Sequence, residues 1–258
     1  MILQDIINII ESVAPLSYQE DWDNSGLQVG DRNAEVNAAL LTVDVTESVV
    51  DEAIALGCDL IVSHHPLLFR GLKQITGSTP QERCVLKAIQ HNIAIYSAHT
   101  SMDSWLHGVS GRIAEKLGVQ NYRILVESQD NVGLGVIGQL AEPMDKEDFI
   151  ALVKEVFDAG CVRFNSWTGE KVGRVALCGG AGAFLMSKAV AAGADAFLTG
   201  EMHYHQCFGH DGQIQIGVLG HYQSEQYTMD IFNSVISERC PRLPLFKTTV
   251  CTNPIKYL

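Results

Sequence analysis

Apolar and polar positions alternate in blocks along this chain, and the blocks predict helices and strands in turn. Apolar residues recur at helical spacing from Leu3 to Val13, which predicts an amphipathic helix that ends before Pro15. Short, continuously apolar runs then follow, as is typical of strands that are buried on both faces of a sheet. In the first half these predicted strands are residues 38–45, 60–63 and 93–97.

Helical patterns separate the predicted strands. They cover residues 47–56, 81–90 and 109–117 in the first half, and 146–157 and 183–192 in the second half, where strands are predicted at 132–140, 174–178, 196–199 and 214–219. This alternation predicts an α/β protein with two related lobes and largely parallel or mixed sheets. No low-complexity linker marks a boundary. We expect a first lobe over residues 1–125, joined by 215–258, and a second over 126–214.

Two segments of the chain look like copies of one unit. Residues 53–63 (AIALGCDLIVS) match residues 189–199 (AVAAGADAFLT) at four positions, with apolar residues opposite apolar ones between them. Each copy is followed by a further apolar strand and then by a histidine with a carboxylate four residues later. These pairs are His99 with Asp103, and His221 with Glu225. The repeated ending favours an internal duplication.

Composition indicates a soluble globular protein. Of its 258 residues, 47% are hydrophobic and 19% are charged, and the apolar runs are too short to cross a bilayer. We see no secretory signal at Met1 and expect a cytoplasmic protein. The net charge of -12 disfavours a nucleic-acid surface. The seven cysteines form no C-x-x-C pair, which fits reduced thiols better than disulfides or a zinc finger.

Histidines collect where the predicted strands end. His64 and His65 follow one strand, and His99 and His221 follow two others. Ligands gather at the carboxyl ends of strands in open α/β sheets, so we expect these imidazoles to form a metal site. Adjacent side chains on an extended chain point to opposite sides, which suits two ions better than one. Imidazole and carboxylate ligands suit zinc, manganese, iron or cobalt and do not select among them.

A second cluster of metal-ligating residue types, Glu201-x-His203-x-His205-x-Cys207, has a period of two. That spacing would place the four side chains on one face of a strand. A separate zinc site is one reading. We prefer a pocket-lining role for His205 and exposure to solvent for His203.

Two further features have both a functional and a structural interpretation. The turn at residues 179–182 (GGAG) resembles a phosphate cradle, but it matches neither established glycine-rich motif and favours a tight strand-to-helix turn. Arg70 and Lys73 follow the His64-His65 pair. They could neutralise an anionic substrate or lie in a solvated loop.

Five motifs in this order resemble those of the NGG-one-interacting-factor-three family, whose bacterial members are labelled GTP cyclohydrolase 1 type 2 homologues. The motifs are Trp22-Asp23-Asn24-Ser25-Gly26-Leu27-Gln28-Val29-Gly30, Ser63-His64-His65-Pro66-Leu67, His99-Thr100-Ser101-Met102-Asp103, Thr199-Gly200-Glu201 with Tyr204-His205, and Gly220-His221-Tyr222-Gln223-Ser224-Glu225. They span almost the whole chain. The resemblance implies a two-lobed α/β protomer, a ring-shaped homohexamer and a dinuclear metal centre that faces the interior.

The same resemblance implies the metal ligands. His65 and Asp103 would hold one divalent ion, His64 and His221 the other, and Glu225 would bridge both. No ligand position departs from the family pattern.

The resemblance also implies a reaction. Two metals that share a carboxylate can activate a bound water, so metal-bound hydroxide is the expected nucleophile of a hydrolase. The family label makes the substrate GTP, whose imidazole ring would open with release of formate while His99 or Glu225 moves protons. His99 would lie near the metals without needing to ligate them. The substrate is a small molecule, with a nucleotide as one candidate. A metal-binding regulator or scaffold without turnover is the alternative.

Overall fold

The computed structural model describes residues 1–258 and contains two compact units, each with its own sheet. The first unit comprises Met1–Met102 and Thr228–Pro254, and the second comprises Asp103–Tyr227 and Ile255–Leu258. The predicted α/β class with mixed sheets is confirmed. The boundary expected near residue 125 is wrong, because it falls inside a strand, Val119–Gln129, that pairs within the second sheet.

The chain forms eleven strands and nine α-helices. The strands are β1 (Gly26–Val29), β2 (Ala39–Thr42), β3 (Leu60–Ser63), β4 (Ala94–Ser97), β5 (Val119–Gln129), β6 (Val132–Asp145), β7 (Arg163–Phe164), β8 (Lys171–Cys178), β9 (Ala196–Thr199), β10 (Gln215–Val218) and β11 (Leu245–Lys247). The helices are α1 (Leu3–Glu11), α2 (Glu47–Leu56), α3 (Pro80–Gln90), α4 (Thr100–Ser104), α5 (Val109–Lys116), α6 (Lys146–Val156), α7 (Met186–Ala191), α8 (His221–Glu225) and α9 (Thr228–Arg239). None of these helices combines the length and apolarity needed to cross a membrane.

The first sheet has the strand order β1-β4-β3-β2-β11. Strand β1 runs antiparallel to β4, and the other neighbouring pairs are parallel. Strands β2, β3 and β4 are buried along their whole lengths, as their continuous apolar sequences predict. Helix α2 begins where the side chain of Thr46 accepts a hydrogen bond from the N–H of Val49, and it ends at Gly57 in the left-handed region.

The second sheet has the order β5-β6-β8-β9-β10-β7. Strands β8, β9 and β10 are parallel, and β7 runs antiparallel to β10. The antiparallel pair β5 and β6 extends the sheet beyond β8. Phe197 on β9 and Ile216 on β10 belong to the buried core of this sheet.

The two segments that match in sequence also have the same local structure. Each runs from the end of a helix through a left-handed glycine, Gly57 with φ 68° or Gly193 with φ 70°, into a parallel strand. The aspartates that follow these glycines have the same role. Asp59 accepts from the backbone N–H of Asn37, and Asp195 accepts from that of Arg174, both at 2.7 Å. The segments therefore share their hydrogen bonding as well as their sequence.

Candidate metal centre

Three imidazoles in the first unit lie together at the carboxyl ends of β3 and β4. The candidate ligand atoms of His64, His65 and His99 all lie within 4.8 Å of one another. The ring centroid of His99 is 5.3 Å from those of both His64 and His65. The chain bends directly after Ser63, so His64 and His65 do not project to opposite sides as an extended strand would require.

Oxygen acceptors orient the rings of His64 and His65. In His64, which is fully buried, Nδ1 lies 3.0 Å from the carbonyl oxygen of Ala98. In His65, Nδ1 lies 2.7 Å from Oδ1 of Asp44, which comes shortly after β2 at the same sheet edge. An imidazole that donates from Nδ1 to an oxygen presents Nε2 as the nitrogen for metal ligation.

Asp23 orients His99 in the same way. Its Oδ1 lies 2.8 Å from Nδ1 of His99, and its Oδ2 accepts from the hydroxyl groups of Thr100 at 2.6 Å and Ser25 at 2.8 Å. Burial of the Asp23 carboxylate opposes ionisation, but the hydrogen bonds from His99, Thr100 and Ser25 outweigh it and hold the pKa of Asp23 well below its usual range. Asp23 is therefore an ionised, fixed acceptor.

Two aromatic rings lie beside this cluster. The rings of Trp22 and Phe69 have their centroids 5.9 Å and 6.3 Å from that of His99. Arg70 and Lys73, in the loop that follows, are exposed to solvent. Their contact with an anionic substrate stays a prediction.

In the second unit, His221 and Glu225 lie one turn apart on α8. Nε2 of His221 is 3.1 Å from Oε2 of Glu225, and its Nδ1 is 3.1 Å from Oε1 of Glu201. Glu225 is buried, whereas Glu201 is exposed. His221 therefore has a carboxylate at each ring nitrogen.

The glycine-rich turn after β8 lies against this pair. Gly180 has φ 58°, and a Cβ at this position would lie 2.3 Å from Oε1 of Glu225. The amide of Gly180 donates to the hydroxyl of Ser224, and that of Gly182 donates to the hydroxyl of Thr199. Because these amides have protein acceptors, the turn fits the structural interpretation rather than a phosphate cradle.

Asp103 lies on α4 and is half-buried. Burial, together with the charges of Asp103 and Glu225, raises the pKa of the Cys178 thiol to about 12. Both carboxylates therefore oppose ionisation of this thiol. Coordination of a metal by Asp103 stays a prediction.

The segment 201–207 is not the strand that its period of two predicts. Tyr204–Cys207 forms a 3₁₀ helix, and the backbone N–H of His203 donates to Oε1 of Gln206 at its start. His203 lines a cavity together with Tyr204, whereas His205 packs against the ring of Phe208. His203 is exposed to solvent, as expected, whereas His205 is not among the residues that line this cavity. The expected common face is wrong, because the side chains of a 3₁₀ helix do not alternate between two faces.

The structure groups predicted residues within each unit. It also shows three carboxylates that contact histidine rings and that the sequence analysis did not pair with them. Asp23, Asp44 and Glu201 hold Nδ1 of His99, His65 and His221. Asp44 had a usable signal, since it lies near the carboxyl end of the strand predicted over residues 38–45, at the edge where the histidines collect. The resulting imidazole and carboxylate donors fit a divalent transition metal. The assignment of individual residues to individual ions stays a prediction.

Comparisons with known proteins identify the family of this chain. The model of the Duf34/NIF3 (NGG1p interacting factor 3) family matches residues 1–254. A protein of Clostridium acetobutylicum called GTP cyclohydrolase 1 type 2 homolog is 35% identical over 228 residues, covering 86% of this chain and 85% of the relative. Protein NIF3 homolog of Schizosaccharomyces pombe is 32% identical, covering 86% of this chain and 84% of the relative. The crystal structure of Staphylococcus aureus hypothetical protein SA1388 superposes with a TM-score of 0.92 at 27% identity, covering 100% of this chain and 99% of that one. The family resemblance is confirmed, and the chain belongs to the Duf34/NIF3 family.

Proposed function

We propose that this protein is a hydrolase that depends on a pair of divalent metal ions. The proposed metal ligands are His64, His65, Asp103, His221 and Glu225. The observation that carries this proposal is the orientation of the histidine rings. His64, His65, His99 and His221 each have Nδ1 within 3.1 Å of an oxygen atom, so the same nitrogen, Nε2, would ligate or exchange protons in each.

Oriented imidazoles of this kind are typical of metal sites. A ligating histidine usually gives its other N–H to a carboxylate or a backbone carbonyl, which fixes the tautomer and makes the ligand more basic. Three of the four acceptors here are carboxylates, from Asp23, Asp44 and Glu201. Histidines with only a packing role need no such matched set of acceptors.

Each of these residues would have its own role in the proposed reaction. Bound divalent ions would supply a Lewis acid and activate a water molecule. Asp23 keeps His99 in the tautomer whose Nε2 can accept a proton, so we assign His99 as the proton carrier. Glu225, which is buried, would serve both as a metal ligand and as a second group that moves protons.

GTP is the named candidate substrate, because bacterial relatives carry the name GTP cyclohydrolase 1 type 2 homolog. In that reaction water would add to the imidazole ring of GTP and open it, with release of formate. This substrate rests on the relatives' names, while the metal-dependent hydrolysis rests on the donor set described above.

The test is an assay of the purified chain after loading with zinc, manganese, iron or cobalt. Formate release from GTP and hydrolysis of a panel of phosphoesters are measured for the wild type, for His65→Ala and for a matched control, His91→Ala. His91 is an exposed residue at the end of α3, outside the site. Turnover that His65→Ala abolishes and His91→Ala retains supports the proposal. Metal binding without turnover of any substrate contradicts it and favours a metal-binding regulator.

We also propose a homohexameric ring, as the family resemblance implies. Native mass spectrometry should give the mass of six chains. A monomer or dimer at working concentration would contradict the ring.

A further inference from the structure

The second unit contains a cavity of about 480 Å³ that the roles described so far do not use. Side chains of several chemical types line it, among them Arg163, Phe184, Glu201, His203, Tyr204 and Gln206. Cavities of this size accept small organic ligands, and a few polar groups among aromatic walls are typical of such sites.

Two aromatic rings contribute to the apolar part of this cavity. Phe184 is 61% exposed and Tyr204 is 72% exposed, so both present large ring surfaces to water. The Tyr204 ring is held edge-on by Phe208 and His205, at centroid distances of 5.0 Å and 5.2 Å. A fixed, exposed aromatic ring offers a face on which a flat heterocycle can stack.

Arg163 supplies a positive charge to the same cavity. It belongs to the two-residue edge strand β7, and its neighbour Phe164 lines a different cavity, as expected for adjacent residues on a strand. The guanidinium donates to the carbonyl oxygen of Met202 at 3.4 Å. A neutral acceptor at this distance does not compensate the guanidinium charge, so Arg163 is suited to a phosphate or carboxylate group.

Glu201 connects the cavity to the candidate metal centre. It lines the cavity, and its Oε1 lies 3.1 Å from Nδ1 of His221. A ligand in the cavity would therefore be separated from His221 by a single side chain. The negative charge of Glu201 repels an anionic group at this end and favours the N–H groups of a heterocycle, which defines the direction in which a ligand lies.

We propose that this cavity binds the substrate of the hydrolase, and that the substrate is a planar heteroaromatic anion. Its ring stacks on Tyr204 and Phe184, its phosphate or carboxylate contacts Arg163, and an N–H edge faces Glu201. The inference rests on the proposed hydrolase function, because it assigns the substrate class of that site. It can nevertheless be tested by binding alone.

The test is calorimetric titration of the full-length, metal-loaded protein with four probes. GTP and pterin-6-carboxylate carry a flat ring with a phosphate or a carboxylate, guanosine lacks the anion, and inorganic triphosphate lacks the ring. We expect GTP, pterin-6-carboxylate or both to bind more tightly than guanosine and triphosphate. The better of the two shows whether the cavity prefers a nucleotide or a carboxylated pterin.

Two variants with matched controls locate the bound probe. Arg163→Gln should weaken binding of the anionic heterocycle by roughly 10- to 100-fold and leave guanosine unchanged, since one charge-assisted hydrogen bond is lost. Tyr204→Ala should weaken the anionic heterocycle and guanosine alike, by about fivefold or more. The controls, Arg239→Gln and Phe164→Ala, remove an exposed charge and an exposed ring outside the cavity and should bind like the wild type.

Several results would overturn the inference. The first is that no probe binds more tightly than about 1 mM. The second is that Arg163→Gln and Arg239→Gln have the same affinity for the anionic heterocycle. The third is that Tyr204→Ala changes the oligomeric mass but leaves the affinity unchanged. The last result would assign the exposed rings to a subunit interface. Binding that depends on Arg163 without any turnover supports the inference and rejects the hydrolase. Turnover that neither Arg163→Gln nor Tyr204→Ala affects supports the hydrolase and rejects the inference.

Discussion

The two units use the same strand arrangement to present different chemistry. In the first, an antiparallel β1 flanks the parallel strands β4, β3 and β2, and in the second an antiparallel β7 flanks β10, β9 and β8. The first presents three imidazoles, from the loops after β3 and β4. The second presents the His221 and Glu225 pair on one short helix. The same strand arrangement therefore carries different strand-end residues in the two units.

The units also fix their donor groups by different means. In the first, hydrogen bonds from residues distant in sequence orient the rings, as in the pair His65 and Asp44, 21 residues apart, or His99 and Asp23, 76 apart. In the second, Glu201 contacts His221 in the same way, but the backbone at Gly180 also lies directly against Glu225. Metal binding by the first unit should therefore be sensitive to loss of a hydrogen-bond acceptor. Metal binding by the second unit should be sensitive to addition of a methyl group at Gly180.

The largest effect is expected from removal of a ligand in the first unit. Loss of a residue that only hydrogen-bonds to a metal ligand can reduce metal affinity by roughly 100-fold, and His65→Ala should reduce it by more. Turnover should fall to the assay background. Competition with a chelator measures the affinity. The exposed His91→Ala should match the wild type. Equal affinity in both variants would remove His65 from the metal site.

The next largest effect should come from Gly180→Ala in the second unit. The new methyl group would displace Glu225, so we expect about a 100-fold loss of metal affinity. Gly118→Ala is the matched control, because Gly118 also has a positive φ, of 70°, but has no atom near the added Cβ. Both variants should lose thermal stability through backbone strain. Only Gly180→Ala should lose metal, and an equal loss in Gly118→Ala would show that strain alone is responsible.

The fold was largely predictable where local signals agree. Strand β3 and helix α2 have the bounds that the sequence predicted, because continuous burial and the Thr46 and Gly57 caps define them. Strand β5 was missed, since most of its side chains are polar and exposed and it contains Asn121 with φ 51°. Its strand conformation comes from pairing with β6, which no local pattern reveals.

The site was predictable in its donors but not in their partners. His64, His65 and His99 lie together because parallel strands end at one edge, which is a rule the sequence can use. The contact between Asp23 and His99 depends on a loop returning across the sheet edge, and nothing in the spacing shows it. The segment 201–207 shows the opposite failure, because its regular period of two does not form a strand and Tyr204–Cys207 is a 3₁₀ helix.

A smaller effect should follow when an outer acceptor in the first unit is weakened. In Asp44→Asn the amide oxygen can still accept from Nδ1 of His65, but without the negative charge. We expect metal affinity to fall about tenfold, at the lower end of the range for outer partners. Asp51→Asn, which alters an exposed carboxylate paired with Lys87, should have no effect. An unchanged affinity in Asp44→Asn would show that His65 does not need this charge.

The smallest effect on metal binding is expected at Glu82, in the first unit but away from the histidines. Its carboxylate accepts from the backbone of Thr76 and Ser78 and from the Thr76 hydroxyl, and these hydrogen bonds lower its pKa below 4.5. A lowered pKa means that the stabilisation is present above the unfolded-state pKa and is lost as pH falls through the folded-state value. Glu82→Gln should therefore lower the melting temperature by a few degrees at neutral pH.

The difference between Glu82→Gln and the wild type should shrink as the pH falls below 4.5. Calorimetric melting curves across this range measure it, and metal affinity at neutral pH should be unchanged. A gap in melting temperature that stays constant with pH would show that the Glu82 charge does not stabilise the loop.

Anomalous scattering from crystals of the metal-loaded protein, recorded at the absorption edge of the bound metal, tests the central claim most directly. We predict two peaks, at about 2.0–2.2 Å from the ring nitrogens of His64, His65 and His221 and from the carboxylate oxygens of Asp103 and Glu225. Metal-loaded crystals with no peak at these side chains, or with ions bound only at other residues, would contradict the account.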